Sequence, residues 1–137
     1  MTKRFRYSVL LSVLTLLRCS RAGVEQPELP RSISPGWRLL RVESMDISTS
    51  PRQVREARPE NAWIATYSGD SIAHVRIWAI PRPLGLELVQ RWRAEANTVV
   101  FYSQHYFAAI DWKEPDAQKA SALVRAVERA LGLEYEP

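Results

Sequence analysis

The tetrapeptide Ser68-Gly69-Asp70-Ser71 lies between two segments, Ala62 to Tyr67 and Ser71 to Ile80, that alternate in polarity and are rich in β-branched and aromatic residues. Gly-Asp at the centre of a two-residue loop signals a hairpin, because Gly takes the positive φ that a type II′ turn needs at its first central position. A loop this short permits only antiparallel pairing. It also sets the register, and the register decides which side chains are neighbours on each face of the sheet.

The same order then recurs. Pro81-Arg82-Pro83 stops the second strand, and Leu84, Leu88, Trp92 and Ala96 follow at intervals of four, joined by Val89, which predicts an amphipathic helix from Leu84 to Ala96. Thr98 to Tyr102 and His105 to Trp112 read as a second hairpin around Ser103-Gln104. A second helix is expected from Pro115 to Leu131, with Ala120, Leu123, Val124, Val127 and Leu131 as its apolar stripe and Gly132 as its C-terminal cap. Before these modules, Trp37 to Val42 reads as a strand and Glu43 to Asn61 as a long surface loop. With 46% hydrophobic and 25% charged residues in 137, the chain suits one compact domain. The expected fold is α+β, an antiparallel sheet built from two strand-strand-helix modules with both helices on one face.

A two-residue loop at Gly69-Asp70 pairs Tyr67 with Ile72, Ala65 with His74 and Trp63 with Arg76. One face then holds Ala62, Ile64, Thr66, Ala73, Val75, Ile77 and Ala79, with Val99, Phe101, Tyr106, Ala108, Ile110 and Trp112 of the second hairpin, and suits helix cover. The other face collects Trp63, Tyr67, His74, Arg76, Trp78, Tyr102 and His105, with Phe107 and Asp111 beside them. An aromatic and basic platform of that kind is a candidate binding surface for a protein partner or a second copy of the chain. The competing reading is that the preceding segment, Trp37 and the loop before Asn61 fold over this face and make it a second core.

Charge points away from nucleic acid. Residues 1–22 carry Lys3, Arg4, Arg6, Arg18 and Arg21 and no acid, which leaves 14 basic against 15 acidic residues in the rest of a chain whose formal charge is +4. That remainder lacks the electrostatic footprint of a phosphate binder. The basic residues at Met1 to Arg6, the apolar run of 11 from Tyr7 to Leu17, and small Ser20 and Ala22 before Gly23 make a secretory signal over residues 1–22, cleaved before Gly23. The run is too short for a stable membrane span. Residues 23–36, with three prolines, read as a linker, and residues 37–137 as the single domain. Export to the periplasm or the outside follows. Contact with the membrane is expected only during export, or through a lipid on Cys19, where Arg18 replaces the small residue that lipoprotein processing favours. Cys19 is the only cysteine, so its removal leaves no disulfide, thiolate ligand or thiol nucleophile.

The chemistry-bearing motifs are few. His-Glu-x-x-His, Gly-x-Ser-x-Gly, a phosphate-binding loop and Gly-x-Gly-x-x-Gly are all missing. His74 and His105, with Asp70 or Asp111, are the residues a small hydrolase or metal-dependent enzyme would use, and this is the alternative to a non-catalytic binding domain. No metal site and no cofactor is expected.

Ala62-Trp63-Ile64-Ala65-Thr66-Tyr67, Val75-Arg76-Ile77-Trp78, Leu86-Glu87-Leu88-Val89-Gln90-Arg91-Trp92-Arg93 and Tyr106-Phe107-Ala108-Ala109-Ile110-Asp111-Trp112 together resemble a family of uncharacterised exported bacterial proteins, over roughly residues 37–112. The chain departs from that pattern at Leu86-Glu87, where the family often has Ala-Phe. The resemblance implies an exported bacterial domain and no particular reaction.

Overall fold

The computed structural model describes residues 24–133. The expected signal over residues 1–22, with Cys19, lies outside the described residues. Strands β1 (Ser32–Ile33), β2 (Trp37–Ser44), β3 (Asn61–Ser68), β4 (Ile72–Ala79), β5 (Thr98–Ser103) and β6 (Tyr106–Trp112) form one antiparallel sheet in the order β1-β2-β3-β4-β6-β5. Among the described residues three α-helices accompany it, α1 (Arg52–Glu56), α2 (Arg82–Arg91) and α3 (Ala117–Ala130). This is the α+β class that the two hairpin signals predict.

The first hairpin is offset by one residue from the expected register. Ser68 stands opposite Ile72, so the turn is the three-residue Gly69-Asp70-Ser71, and Trp63 faces Ile77, Ala65 faces Val75 and Tyr67 faces Ala73. A slip of one moves a strand's whole side-chain set to the other face. The observed pairing gathers Trp63, Ala65 and Tyr67 with Ala73, Val75, Ile77 and Ala79 in one apolar core, and sets Ile64 and Thr66 opposite Arg76 and His74. Gly69 does not take a positive φ. It serves close approach instead, since a Cβ there would stand 3.1 Å from the Trp37 ring.

The second hairpin turns at Gln104-His105, with Gln104 at φ +57°, in place of Ser103-Gln104. That difference is two residues, so parity is kept, and Val99, Phe101, Tyr106, Ala108 and Ile110 lie on the expected face. In β2 the register shifts between Leu39 and Arg41. The extra residue, Leu40, sends Arg41 opposite Thr66 and turns Val42 to the core, reversing the faces that simple alternation gives them.

The helices lie on opposite faces, which corrects the expectation of a shared one. Leu123 and Val127 of α3, with Leu131 just past its end, pack with Trp63, Tyr67, Val75, Ile77, Phe101 and Ile110. On the other side, Val54 of α1, Ala57 just after it, and Leu88 of α2 pack with Ala62, Trp78, Phe107 and Ala109. The reason is that β4 and β6 are apolar on both faces at this end, and one helix cannot cover two sides of a sheet. Asp116 caps α3 by accepting from the amides of Gln118 and Lys119, and Gly132 at φ +86° follows the last turn, as its composition predicts. α2 ends at Arg91, short of Ala96, where extended Trp92 lies 5.5 Å from the Phe107 ring.

The proline-bearing segment before Trp37 is part of the folded body and not a free linker. Leu29 and Ile33 are buried in the α3-side core, β1 pairs with β2, and the Glu25 carbonyl accepts from Tyr106 Oη at 2.9 Å. The Tyr67 hydroxyl donates to the Pro30 carbonyl at 2.7 Å, and burial pushes its pKa from 10.0 up to about 12. A raised pKa in the folded state means that the neutral phenol stabilises the fold fully below pH 10, and that this contribution is lost as the pH climbs from 10 towards 12. Tyr67→Phe is expected to cost about 1 kcal/mol at neutral pH and to flatten the alkaline fall in unfolding free energy, read by urea titrations across that pH range.

Candidate functional site

Helices α1 and α2 close over one end of the second face, on the row Ala62, Trp78, Phe107 and Tyr102. Trp78 is fully buried there, its indole N–H donating to Ser50 Oγ at 2.9 Å and its ring 5.7 Å from Phe107. Beyond that row the face turns more polar, with Arg76, His74 and Asp111 half-exposed while Thr66 and Ala109 stay buried. The next row across the sheet is Glu43, Ile64, Arg76, Ala109 and Val100, and the one after it is Arg41, Thr66, His74, Asp111 and Thr98. Leu40 and Ile72 border this region with 51% and 41% of their surface exposed.

Two close side-chain pairs lie in these rows. Arg41 Nε lies 3.5 Å from Glu43, and His74 Nδ1 lies 3.5 Å from Asp111 Oδ1. Arg76 has no such partner. Its guanidinium carbon stands 5.5 Å from the centre of the Trp78 ring, and its Nε is buried with no acceptor. A cation–π contact contributes about 0.5–2 kcal/mol, and an unsatisfied buried donor costs about 1–3 kcal/mol.

The seven residues expected to share a face are dispersed. Trp63 and Tyr67 are buried on the α3 side, with Trp63 meeting Tyr106 edge-on at 6.2 Å. Trp78 lies on the second face but is covered by the loop after β2. Tyr102 is half-buried beside α2, donating its hydroxyl proton to the Ile80 carbonyl at 2.7 Å. His105 sits exposed in the β5–β6 turn, its ring 4.3 Å from Tyr106. Only His74 and Arg76 stay together on the open half of the face, with Asp111. The cation–π partner of Arg76 is Trp78, two residues along its own strand. The reading in which the loop before Asn61 makes a second core therefore describes the covered half, while the platform reading retains only its polar half.

The two histidines cannot act together. His74 is near the start of β4, whereas His105 accepts through its carbonyl from Ile80 just past the strand's end, at 2.9 Å. The length of strand between them is roughly 20 Å at about 3.3 Å per residue. Among the described residues no group of three His, Cys, Asp or Glu is placed to hold a metal ion. No described helix is long and apolar enough to cross a membrane.

Ile64 and Thr66 share this half-face, Thr66 itself buried, whereas a two-residue turn places both on the helix-covered face. The signal that identifies them is periodicity: Trp63, Ala65 and Tyr67 in β3 and Ala73, Val75, Ile77 and Ala79 in β4 are all apolar, and the three-residue turn gathers them on one face, which leaves Ile64 opposite Arg76 and Thr66 opposite His74. Comparison with known protein families, with curated proteins and with solved structures gives no match for the chain.

Proposed function

We infer that this is an exported bacterial domain that acts by non-covalent binding, and that its binding surface is the open half of the second sheet face. The observation that carries the reading is Arg76, a half-buried cation held over Trp78 with a buried Nε and no acceptor. Ile64 and Ala109 flank it in the same row, and the His74–Asp111 pair stands in the next, so the surface offers apolar contact around a cation with no ion-pair partner. A carboxylate-bearing segment of a protein partner fits that arrangement, because arginine engages carboxylates with two parallel N–H bonds. The leader sequence and the resemblance to exported bacterial proteins support the location, periplasmic or extracellular, with a lipid on Cys19 as the alternative anchor.

Arg76→Met tests the binding site. It keeps much of the side-chain volume over Trp78 and removes the unpaired donor, so the unfolding midpoint is expected to hold or rise by up to a few degrees. Crosslinking in the intact cell envelope followed by native mass spectrometry is expected to recover a partner with the parent protein and to lose it with Arg76→Met. Equal recovery with both proteins would remove the open half-face from consideration. The same spectra report the N-terminus, expected at Gly23, and acylated Cys19 in the mature mass would overturn that cleavage.

A further inference from the structure

The sheet has two edges, and they are built differently. At one, β1 is a two-residue strand lying between Pro30 and Pro35, and the neighbouring β2 carries the register shift at Leu40. Short strands, prolines and bulges are devices that prevent pairing with another chain. At the other edge β5 reads Thr-Val-Val-Phe-Tyr-Ser, without charge, proline or register shift.

Backbone direction along β5 follows from the ladder. Ser103 and Tyr106 close a two-residue turn, and Trp112 N donates to the Asn97 carbonyl at 3.1 Å, so residues 97, 99, 101 and 103 direct their amides and carbonyls to β6. The same groups of Thr98, Val100 and Tyr102 therefore point outward. No hydrogen bond among the described residues reaches them. The three are spaced evenly about Val100.

We propose that β5 pairs antiparallel with β5 of a second copy of this chain about a two-fold axis at Val100, joining two sheets into one. Val100 then faces its own copy, Thr98 faces the copy's Tyr102, and every outward donor meets an acceptor. The intervening positions place Val99 opposite the copy's Phe101, an apolar pair that extends the α3-side core across the axis. On the other side, Gly85 and Leu88 turn α2 toward the sheet and Leu84 turns toward α1, which leaves Leu86, 43% exposed, on the flank facing away from α1 and over the β5 edge. A second copy is favoured over an unrelated peptide because the pattern is self-complementary and uncharged. Because the β1 edge is blunted, the contact closes as a dimer and does not propagate.

The test uses the protein isolated as its host processes it. Sedimentation equilibrium at about 100 μM is expected to give twice the chain mass, and amide exchange at Thr98, Val100 and Tyr102 is expected to slow about tenfold or more between dilute and concentrated samples. Val100→Pro removes an outward N–H that β6 does not use and is expected to give a folded monomer. Should that variant fail to fold, Thr98→Lys and Leu86→Glu, both on the edge surface, carry the same expectation. A monomeric parent protein, a dimer whose Thr98, Val100 and Tyr102 amides exchange freely, or a dimer that survives Thr98→Lys with Leu86→Glu would each overturn the proposal. None of these outcomes bears on Arg76, so the two readings fail separately.

Discussion

Trp78→Ala is expected to lower the unfolding free energy by about 4 kcal/mol, the largest loss of any single substitution on the second face. The ring is fully buried between Phe107 and the Arg76 guanidinium, and its N–H is bonded to Ser50 Oγ at 2.9 Å. Truncation leaves a cavity under α1 and strands the Ser50 hydroxyl. Against a total stability of about 5–15 kcal/mol, the loss would shift the urea midpoint by about 2 M, given a slope of about 1–3 kcal/mol per M. Ser50→Ala, which removes only the acceptor, should cost about 1 kcal/mol. A loss near 1 kcal/mol for Trp78→Ala itself would mean that the segment after β2 does not cover the indole, and the aromatic platform would be open after all.

Gly85→Ala is expected to destabilise, against the direction of helix propensity. Alanine in a helix interior is favoured over glycine by about 1 kcal/mol, yet a methyl group on Gly85 would overlap the Tyr102 ring. That ring cannot swing aside cheaply, because its hydroxyl is held by the Ile80 carbonyl at 2.7 Å. Overpacking costs about 1–3 kcal/mol, so the net result is a loss of up to about 2 kcal/mol in denaturant unfolding. In a Tyr102→Leu background the penalty should vanish and the propensity gain should emerge. A stabilising Gly85→Ala in the parent protein would show that α2 does not rest on β5 at this position.

The class of fold was legible because it rests on local signals. Asp116, Gly132 and the four-residue spacing of apolar positions mark their helices through interactions confined to a turn or two. The turn residues mark hairpins for the same reason. Even an error of two residues, as at Gln104, is harmless to the face assignment, because strand side chains alternate with a period of two. At Ser71 the error is one residue, and it exchanges Trp63 and Tyr67 for Ile64 and Thr66 on the candidate surface. Turn composition does not distinguish a two-residue from a three-residue loop there. The apolar residues at every second position of both strands, Trp63 to Tyr67 and Ala73 to Ala79, do.

The sequence by itself determined the antiparallel α+β class, the strand and helix order after Asn61, and the scarcity of catalytic side chains, since each is carried by near neighbours or by composition. Tertiary structure decided which face each helix covers, because both sides of β4 and β6 are apolar and only the path of the chain selects which is closed by α2 and which by α3. It decided that the prolines before Trp37 lie on the body, through bonds such as Tyr67 to Pro30 that span distant parts of the chain. It also decided the candidate site, because Arg76 is left without an acceptor only once Ile64, Ala109 and Trp78 have arrived from three strands to surround it. Contacts of that separation depend on register and crossing path, and no window of local sequence encodes them.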